Sequence, residues 1–182
     1  RAFNPGSMPG DACLMNAYRK GNVTIVNADG NGVADGKAVY VYVPDMIKYY
    51  LNEEPLLKNV PTYQLGNPEE RAYVFKNISR MVVKQTNGSG GYGMLMGHAS
   101  TTEEIEAYKL EIMKDPRQFI AQPTISLSSA PCYMQGTLQP RRVDFRPFAL
   151  CGPNGIEIIP GGLTRVALKE GSLVVNSSQG GG

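Results

Sequence analysis

Apolar residues spaced like the turns of a helix predict the clearest element of this chain, a helix over residues 101–115. Its sequence, TTEEIEAYKLEIMKD, repeats apolar side chains about every 3.6 residues, and Thr101 with Glu104 makes the pattern of a capping box. Start signals predict a second helix over 68–78, where Asn67 is placed to cap the first turn. Both segments begin with acidic residues, which stabilise the positive end of a helix.

Two segments nearer the N-terminus carry weaker signals. Residues 13–20 fit a short helix that Gly21 would stop. Residues 37–51 stay open between two interpretations, because their valines and tyrosines favour a strand, whereas the spacing of the last apolar residues suits a helix that Pro44 can begin.

Apolar runs with alternating or β-branched residues predict strands elsewhere. We expect one strand over 22–28, a hairpin over 81–97, and a series of strands after residue 118. The strands of this series cover residues 119–126, 133–140, 141–150, 155–161, 163–169 and 171–177. Helices followed by consecutive strands predict an α+β fold with antiparallel sheets flanked by helices, rather than a doubly wound parallel sheet.

The hairpin at 81–97 carries the most specific chemical signal. Its first apolar run ends at Lys84, four of the six residues at 88–93 are glycines, and a second apolar run follows over 94–96. Glycines let backbone N–H groups approach an anion and reach positive φ, and a lysine adds positive charge beside them. This combination predicts that the tip of the hairpin contacts phosphate.

Other interpretations of the glycine segment fit less well or stay open. Residues 88–93 match G-x-G-x-x-G, but a dinucleotide fingerprint must open a helix, and no helical spacing returns before Thr101. The sequence contains no G-x-x-x-x-G-K-[ST] motif, which excludes a P-loop. A glycine hairpin with a purely structural role stays an alternative to phosphate contact.

Composition and charge narrow the function classes. Of the 182 residues, 42% are hydrophobic and 19% charged, so the chain can form a packed core. A formal net charge of +2 gives no argument for binding nucleic acid or a membrane surface. No apolar run approaches the roughly 18 residues of a membrane-spanning helix. With one histidine, the sequence shows no Ser–His or Cys–His constellation for nucleophilic catalysis.

The cysteines and the chain ends lead to two further expectations. Cys13, Cys132 and Cys151 are odd in number and far apart, which predicts small buried hydrophobic residues in a cytoplasmic protein rather than a disulfide framework or a metal site. The chain begins at Arg1 without a methionine and ends on glycines 180–182. We therefore expect a fragment, with missing flanking segments of the same polypeptide.

Polar residues interrupt several of the predicted strands and require partners there. They are Lys37, Lys84, Gln122, Arg142, Asp144, Arg146, Arg165 and Asn176. Basic side chains from separate strands are suited to a triphosphate, since arginine binds it bidentately and lysine acts as a point charge. An acid and an asparagine among them can hold Mg²⁺ through oxygen.

Several motifs in this order resemble those of the ATP-grasp superfamily, over essentially all of the chain. The motifs are Asp35-Gly36-Lys37, NVPTY at 59–63, NGSGGYGM at 87–94, FIAQ at 119–122, DFRPF at 144–148, GGLTRVAL at 161–168 and VVNSSQGGG at 174–182. The resemblance is to the circularly permuted branch, near glutathionylspermidine synthase. Ile25 stands where the family has the glutamate of an E-x-N pair, so we expect the missing carboxylates from a flanking segment.

The resemblance implies a circularly permuted ATP-grasp fold with a glycine-rich hairpin lid over the nucleotide, and it implies roles for individual residues. The implied ATP-binding residues are Lys37, Lys84, Gly88, Ser89, Gly90, Gly91, Tyr92, Gly93, Gln122, Pro123 and Thr124. Asn27 and Asp144 are the implied ligands of Mg²⁺, although an ion pair of Asp144 with Arg142 or Arg146 is an equal alternative. Arg146, Arg165 and Asn176 are the implied catalytic residues.

The same resemblance divides the chain into four parts. Residues 1–36 are the permuted segment with a metal-binding strand, and 37–78 form helices that lead into the core. Residues 79–124 form a small subdomain with the glycine loop and hinge, and 125–182 supply catalytic core strands.

The activity that this family implies is ATP-dependent ligation of a carboxylate to an amine or thiol, including a peptide or polyamine, through an acyl phosphate. Two alternatives stay open. One is a nucleotide-binding module without ligase activity, with a regulatory or assembly role. The other is a phosphotransferase that stops at the phosphorylated product.

Overall fold

The computed structural model describes residues 13–26, 30–88 and 93–175. Helices in these ranges are α1 (Leu14–Arg19), α2 (Val43–Leu51), α3 (Pro68–Lys76) and α4 (Thr102–Lys114). Short 3₁₀ helices cover Asn31–Asp35, Val39–Tyr42, Ile78–Arg80, Gly97–Ala99 and Pro116–Gln118. None of the helices in the described ranges has both the length and the apolar character needed to span a membrane.

The strands form separate antiparallel sheets. The first contains β1 (Tyr63–Gln64), β2 (Met81–Gln85), β3 (Leu95–Met96) and β4 (Phe119–Pro123), in the order β1-β4-β2-β3. The second contains β5 (Ser128–Met134), β6 (Thr137–Gly152) and β7 (Gly155–Val166), in chain order. The fold therefore mixes helices with antiparallel sheets, as the sequence predicts.

The hydrophobic core lies on one face of the first sheet. Met81 and Val83 alternate along β2 toward this face and pack with Val74 of α3 and Ile112 of α4. Strand alternation turns Lys84 to the opposite face. The helices thus cover one side of the sheet and leave the lysine side to other residues.

The capping predictions for α3 and α4 are confirmed. The Asn67 side chain accepts hydrogen bonds from the backbone N–H groups of Glu69 at 2.9 Å and Glu70 at 3.4 Å. Thr101 and Glu104 form the predicted reciprocal capping box, with donor–acceptor distances of 3.2 and 2.8 Å. These interactions satisfy N–H groups that the first turn of a helix leaves without partners.

The ambiguous stretch 37–51 is helical over most of its length. A 3₁₀ turn at Val39–Tyr42 leads directly into α2, with Pro44 in its first turn. Proline fits there because its fixed φ suits a helix and its missing N–H would have no partner at that position. The helical spacing, not the β-branched composition, therefore decides the structure of this segment.

Two predicted strands are wrong where the structure describes them. Residues 22–26 of the predicted strand 22–28, and residues 171–175 of the predicted strand 171–177, are irregular. A β-branched or apolar run becomes a strand only when another strand pairs with it, and neither segment has such a neighbour among the described residues.

The predicted boundaries in the second sheet are also wrong. A turn at Gln135–Gly136, with φ of 50° and 85°, lies inside the predicted strand 133–140. Positive φ at both central residues is typical of a tight hairpin turn. The usual Asn-Gly signature of such a turn is absent, so the sequence did not predict it. Beyond this turn, β6 and β7 each continue through two predicted strands.

The expectation of buried cysteines is wrong as well. Cys13 and Cys151 are exposed and Cys132 is half-buried. Cys151 lies near the tip of the β6–β7 hairpin, where both faces of the strands are exposed. A small apolar residue is buried only where a second layer covers its strand.

Candidate functional site

A cavity of about 330 Å³ lies on the face of the first sheet that turns away from α3 and α4. Its lining residues are Ala34, Gly36, Lys37, Tyr40, Lys84, Ile120 and Gln122. Residues 34–40 form one wall and strands β2 and β4 form the other. The backbone N–H of Lys37 donates to the carbonyl of Thr86 at 3.2 Å, which holds the first wall against the end of β2.

Lys84 reaches the cavity because of its position on β2. Its Cα pairs with Ile120 of β4, and Val82, on the same face, pairs with Gln122. The Lys84 ammonium donates a 2.9 Å hydrogen bond to Oε1 of Gln122. Burial lowers the pKa of Lys84, and the positive charge of Lys37 lowers it further. An anion in the cavity would offset both effects, because its negative charge favours the protonated form of Lys84.

Lys37 connects the cavity to the beginning of the glycine segment. Its ammonium donates to the backbone carbonyls of Gly88 and, at 3.4 Å, of Thr86. Gly88 is the first of the glycines predicted to contact phosphate, and its backbone lies next to the cavity lysine. Lys37, Lys84, Gln122 and Gly88, all predicted from the sequence, therefore come together around one site.

The Gln122 side chain links Lys84 to a segment that sequence reasoning did not assign to the site. Its Nε2 donates to Oγ1 of Thr62 at 2.8 Å, and Thr62 donates to the carbonyl of Val60 at 2.9 Å. Tyr40 also lines the cavity, and its hydroxyl accepts from the Val60 N–H at 2.9 Å. No local pattern identifies Thr62 or Tyr40, because their partners are distant in the chain.

A second polar group lies on the second sheet. Asp144 on β6 faces Arg165 on β7, and Arg165 Nε donates to both carboxylate oxygens at 2.9 and 3.1 Å. The Nη2 of Arg165 also donates to this carboxylate. The hydrogen bonds from Arg165 hold the pKa of Asp144 below its usual value, with smaller help from the charges of Arg165 and Arg146. The partner of Asp144 is thus Arg165, not Arg142 or the exposed Arg146.

The other predicted site residues in the described ranges do not line this cavity. Pro123 pairs with Met81, and strand alternation turns it to the core side, away from Lys84. The backbone N–H of Thr124 donates to the carbonyl of Arg80 at 2.9 Å, and its hydroxyl is buried without a hydrogen-bond partner in the part of the chain described. Six predicted residues lie outside the described ranges: Asn27, Ser89, Gly90, Gly91, Tyr92 and Asn176.

The far end of the glycine segment is fixed by α4. Gly93 has φ of 65°, and its carbonyl accepts a 2.6 Å hydrogen bond from the hydroxyl of Tyr108. Burial raises the pKa of Tyr108 to about 12, with help from the negative charge of Glu111. The hydroxyl therefore stays protonated and can donate at any physiological pH.

The donor set of the cavity fits phosphate better than it fits a metal ion. Two ammonium groups face it, and none of the described side chains that line it is acidic. In residues 13–26, 30–88 and 93–175, no three His, Cys, Asp or Glu side chains are close enough to hold a metal ion. Both oxygens of Asp144 accept hydrogen bonds from Arg165. The described residues therefore suit an anion such as phosphate, but they do not form a magnesium site by themselves.

Comparisons with known proteins identify the family of the chain. Residues 1–167 match the family described as Circularly permuted ATP-grasp type 2. An uncharacterized protein of Synechocystis is 51% identical over 180 residues, covering 99% of this chain and 37% of the relative. An uncharacterized protein of Mycobacterium tuberculosis is 52% identical over 180 residues, covering 99% of this chain and 33% of the relative.

A third relative carries the name of an enzyme. The Frankia alni protein "Putative glutamate--cysteine ligase 2-3" is 44% identical over 169 residues, covering 93% of this chain and 20% of the relative. The chain spans 33–37% of the length of the Synechocystis and mycobacterial relatives. Because the family match covers most of its residues, the chain belongs to the circularly permuted ATP-grasp family.

Proposed function

We propose that the cavity binds the phosphates of ATP and that the protein uses ATP to join a carboxylate to an amine or a thiol. The observation that carries this proposal is the meeting of Lys37 and Lys84 at one cavity beside Gly88. A lysine pair from separate elements costs electrostatic free energy unless an anion binds between them. Family membership supports ATP as that anion.

The residues of the cavity have distinct parts in this proposal. Lys84, partly removed from water, stabilises phosphate charge more strongly than an exposed lysine would, because its field is less screened. Lys37 is hydrogen-bonded to the carbonyl of Gly88, so it can couple phosphate binding to the position of the glycine segment. We propose that residues 88–93 form the lid that excludes water from the transferring phosphoryl group.

The proposed reaction has two steps. A carboxylate oxygen of the first substrate attacks the γ-phosphorus of ATP, and ADP leaves. The amine or thiol then attacks the acyl carbon, phosphate leaves with the bonding electron pair, and the nucleophile loses its proton. Cationic groups stabilise the charge that develops in both steps, and Arg146, Arg165 and Asn176 are the residues proposed to act there.

The magnesium that such chemistry uses would neutralise charge on the phosphates. Asn27 and Asp144 stay predicted ligands, with Asp144 required to exchange Arg165 for the ion. Further carboxylates would come from outside the described residues. The name of the Frankia alni relative, "Putative glutamate--cysteine ligase 2-3", supports a carboxylate–amine ligase as the reaction class. A polyamine or peptide acceptor, as in glutathionylspermidine synthesis, is a narrower form of the same proposal.

The first test is a thermal-shift titration with ATP and Mg²⁺ on the natural full-length protein. A ligand at a hundred times its Kd stabilises the domain that binds it by about 2.7 kcal/mol, which corresponds to roughly 5–10 °C for a domain of 150–250 residues that unfolds independently. We expect this shift in the unaltered protein and in Lys76→Ala, a matched change of an exposed lysine on α3. Lys84→Ala should lose most of it. Equal shifts in both variants would contradict phosphate binding by Lys84.

The reaction itself needs a separate test. The ligase proposal expects ADP release that requires both a carboxylate and an amine or thiol, and a new amide or thioester in the product. A phosphorylated product without amide or thioester would indicate a phosphotransferase. ATP binding without turnover, under a broad mixture of carboxylates and nucleophiles, would favour the regulatory or assembly module instead.

A further inference from the structure

The lysines of the cavity sit on different elements, but both are connected to one extended segment, Asn59–Thr62, which we call the brace. Lys84 lies on β2, and Lys37 lies just before the 3₁₀ turn Val39–Tyr42. The brace precedes β1 and lies outside every assigned helix and strand. Its contacts to the lysines run through Gln122, an implied ATP-binding residue, and through Thr62 and Tyr40, to which the resemblance gives no role.

The connection to Lys84 is a chain of hydrogen bonds with a fixed direction. An ammonium group can only donate, so Oε1 of Gln122 must face Lys84, at 2.9 Å. The amide nitrogen of Gln122 then faces Thr62 and donates to its hydroxyl oxygen at 2.8 Å. The hydroxyl proton of Thr62 is left to donate to the carbonyl of Val60, at 2.9 Å. Thr62 thereby selects one of the two orientations of the Gln122 amide.

The connection to Lys37 runs through Tyr40. The Tyr40 hydroxyl accepts from the backbone N–H of Val60 at 2.9 Å, and the Tyr40 carbonyl accepts from Asn59 Nδ2 at 3.0 Å. Tyr40 lies in a turn that begins next to Lys37. At its start, the Val39 N–H donates to the Gly36 carbonyl at 2.9 Å, and these two residues flank Lys37 in the chain. The brace therefore contacts both walls of the cavity: Asn59 and Val60 bind Tyr40 of one wall, and Thr62 binds Gln122 of the other.

We propose that the brace is a positioning element that sets both cavity lysines for the nucleotide phosphates, with Thr62 as the positioning residue for Lys84 and Tyr40 as that for Lys37. This inference rests on the proposed function of the cavity. Pro61 stiffens the brace, because its ring fixes φ between the two contact points. Movement at one end is thus transmitted to the other.

The physical reason for such a brace is the flexibility of lysine. A lysine that is free among rotamers must be ordered when the anion binds, and the loss of side-chain entropy makes the free energy of binding less favourable. Without the Thr62 hydroxyl, the Gln122 amide loses one of the two hydrogen bonds that hold it, because its NH₂ group no longer has this acceptor. The Gln122 side chain is then held less firmly, and the Lys84 ammonium bonded to it is less well ordered before the anion binds.

The test compares Thr62 variants in the natural full-length protein by calorimetric titration with ATP and Mg²⁺. Thr62→Val keeps the shape and removes the hydroxyl, and we expect the Kd for ATP to rise roughly 3- to 10-fold, as for one hydrogen bond of ordinary strength. Thr62→Ser should restore the Kd to within about two-fold, because it restores the hydroxyl. Thr137→Val, which removes an exposed hydroxyl bonded to the Met134 carbonyl at the β5–β6 turn, is the matched control and should not change the Kd.

A second variant tests the other end of the brace. Tyr40→Phe removes the hydroxyl that accepts from Val60, and it should raise the Kd as well. If both changes act through the brace, the double variant should weaken binding by less than the product of the single effects. The melting temperature of each variant without nucleotide shows whether the fold is intact, and should differ little from that of the unaltered protein.

The outcomes separate the brace from the function on which it rests. If Lys84→Ala leaves the Kd for ATP unchanged, the proposed function of the cavity fails. If Lys84→Ala weakens binding but Thr62→Val behaves like Thr137→Val, or the two brace variants combine multiplicatively, the brace alone is overturned. Should Thr62→Val fail to fold, Tyr40→Phe decides, and an unchanged Kd in that variant overturns the brace.

Discussion

At the scale of single residues, the properties of Lys84 come from its surroundings rather than from its side chain. A lysine on an exposed strand would be fully hydrated, whereas here burial and the nearby charge of Lys37 both disfavour the protonated form. The hydrogen bond to Gln122 keeps the ammonium in place without neutralising it. The site therefore holds a positive charge that an anion can compensate.

This lowered pKa predicts how the affinity for ATP depends on pH. Binding of phosphate favours protonated Lys84, so affinity should fall as the pH rises through the pKa of the free protein, which lies below the usual lysine value of 10.5. The free protein should gain stability over the same range, because the unfolded chain retains the proton that folded Lys84 has lost. Titrations with ATP between about pH 7 and 10 measure the first effect.

Lys84→Arg is the control for this pH dependence. Its guanidinium does not titrate in this range, so a variant that still binds ATP should lose most of the alkaline decline. The same decline in Lys84→Arg would contradict the assignment of the titration to Lys84.

The identity of the site residues was predictable only where chemistry and local sequence coincide. Lys37, Lys84 and Gln122 stand out as polar residues near or within apolar runs, and the structure brings them to one cavity. Thr62 lies in the motif at 59–63, but neither it nor Tyr40 could be assigned to the cavity, since Thr62 lies 60 positions from Gln122 and Tyr40 lies 20 positions from Val60. Hydrogen bonds at such separations depend on the completed fold.

At the scale of elements, the hairpin of the glycine segment is fastened to the core at Gly97. This residue follows β3 and is buried against the turn at Ile78–Arg80. A Cβ placed on it would lie 1.8 Å from the Ile78 carbonyl oxygen, far inside contact distance. The close approach of backbones, not a turn conformation, is therefore what requires glycine here.

Gly97→Ala should destabilise the protein by at least about 2 kcal/mol, because the Ile78 backbone must move to make room for the methyl group. Urea unfolding followed by circular dichroism measures the loss. Gly32→Ala is a matched control, since a Cβ there meets no atom within 4 Å. Equal stability of the two variants would contradict the tight backbone contact.

At the scale of the whole molecule, the sheets differ in how they are stabilised. The first sheet is buried by α3 and α4, and Val83 and Ala121 are fully buried at its centre. The outer half of the β6–β7 hairpin has no such cover among the described residues, and Ile156 and Ile158 are 73% and 67% exposed. The backbone hydrogen bonds in this part of the hairpin are therefore stabilised by little buried apolar surface.

Hydrogen exchange should show this difference in the 182-residue chain. We expect the amides of residues 149–158 to exchange much faster than those of β2 and β4, because local opening of the hairpin exposes little additional apolar surface. The amides of Val83 and Ala121 serve as the internal reference. Protection of the hairpin tip equal to that of the reference would mean that another surface covers it in solution, such as a second copy of the chain.

The sequence by itself determined the features that depend on neighbours a few positions apart. The caps of α3 and α4 follow from contacts within about four residues. Tertiary structure decided which face of β2 carries Lys84, that Asp144 pairs with Arg165, and that residues 22–26 form no strand. These outcomes depend on strand register and on partners distant in the chain, and a local pattern contains no information about a neighbour that only folding supplies.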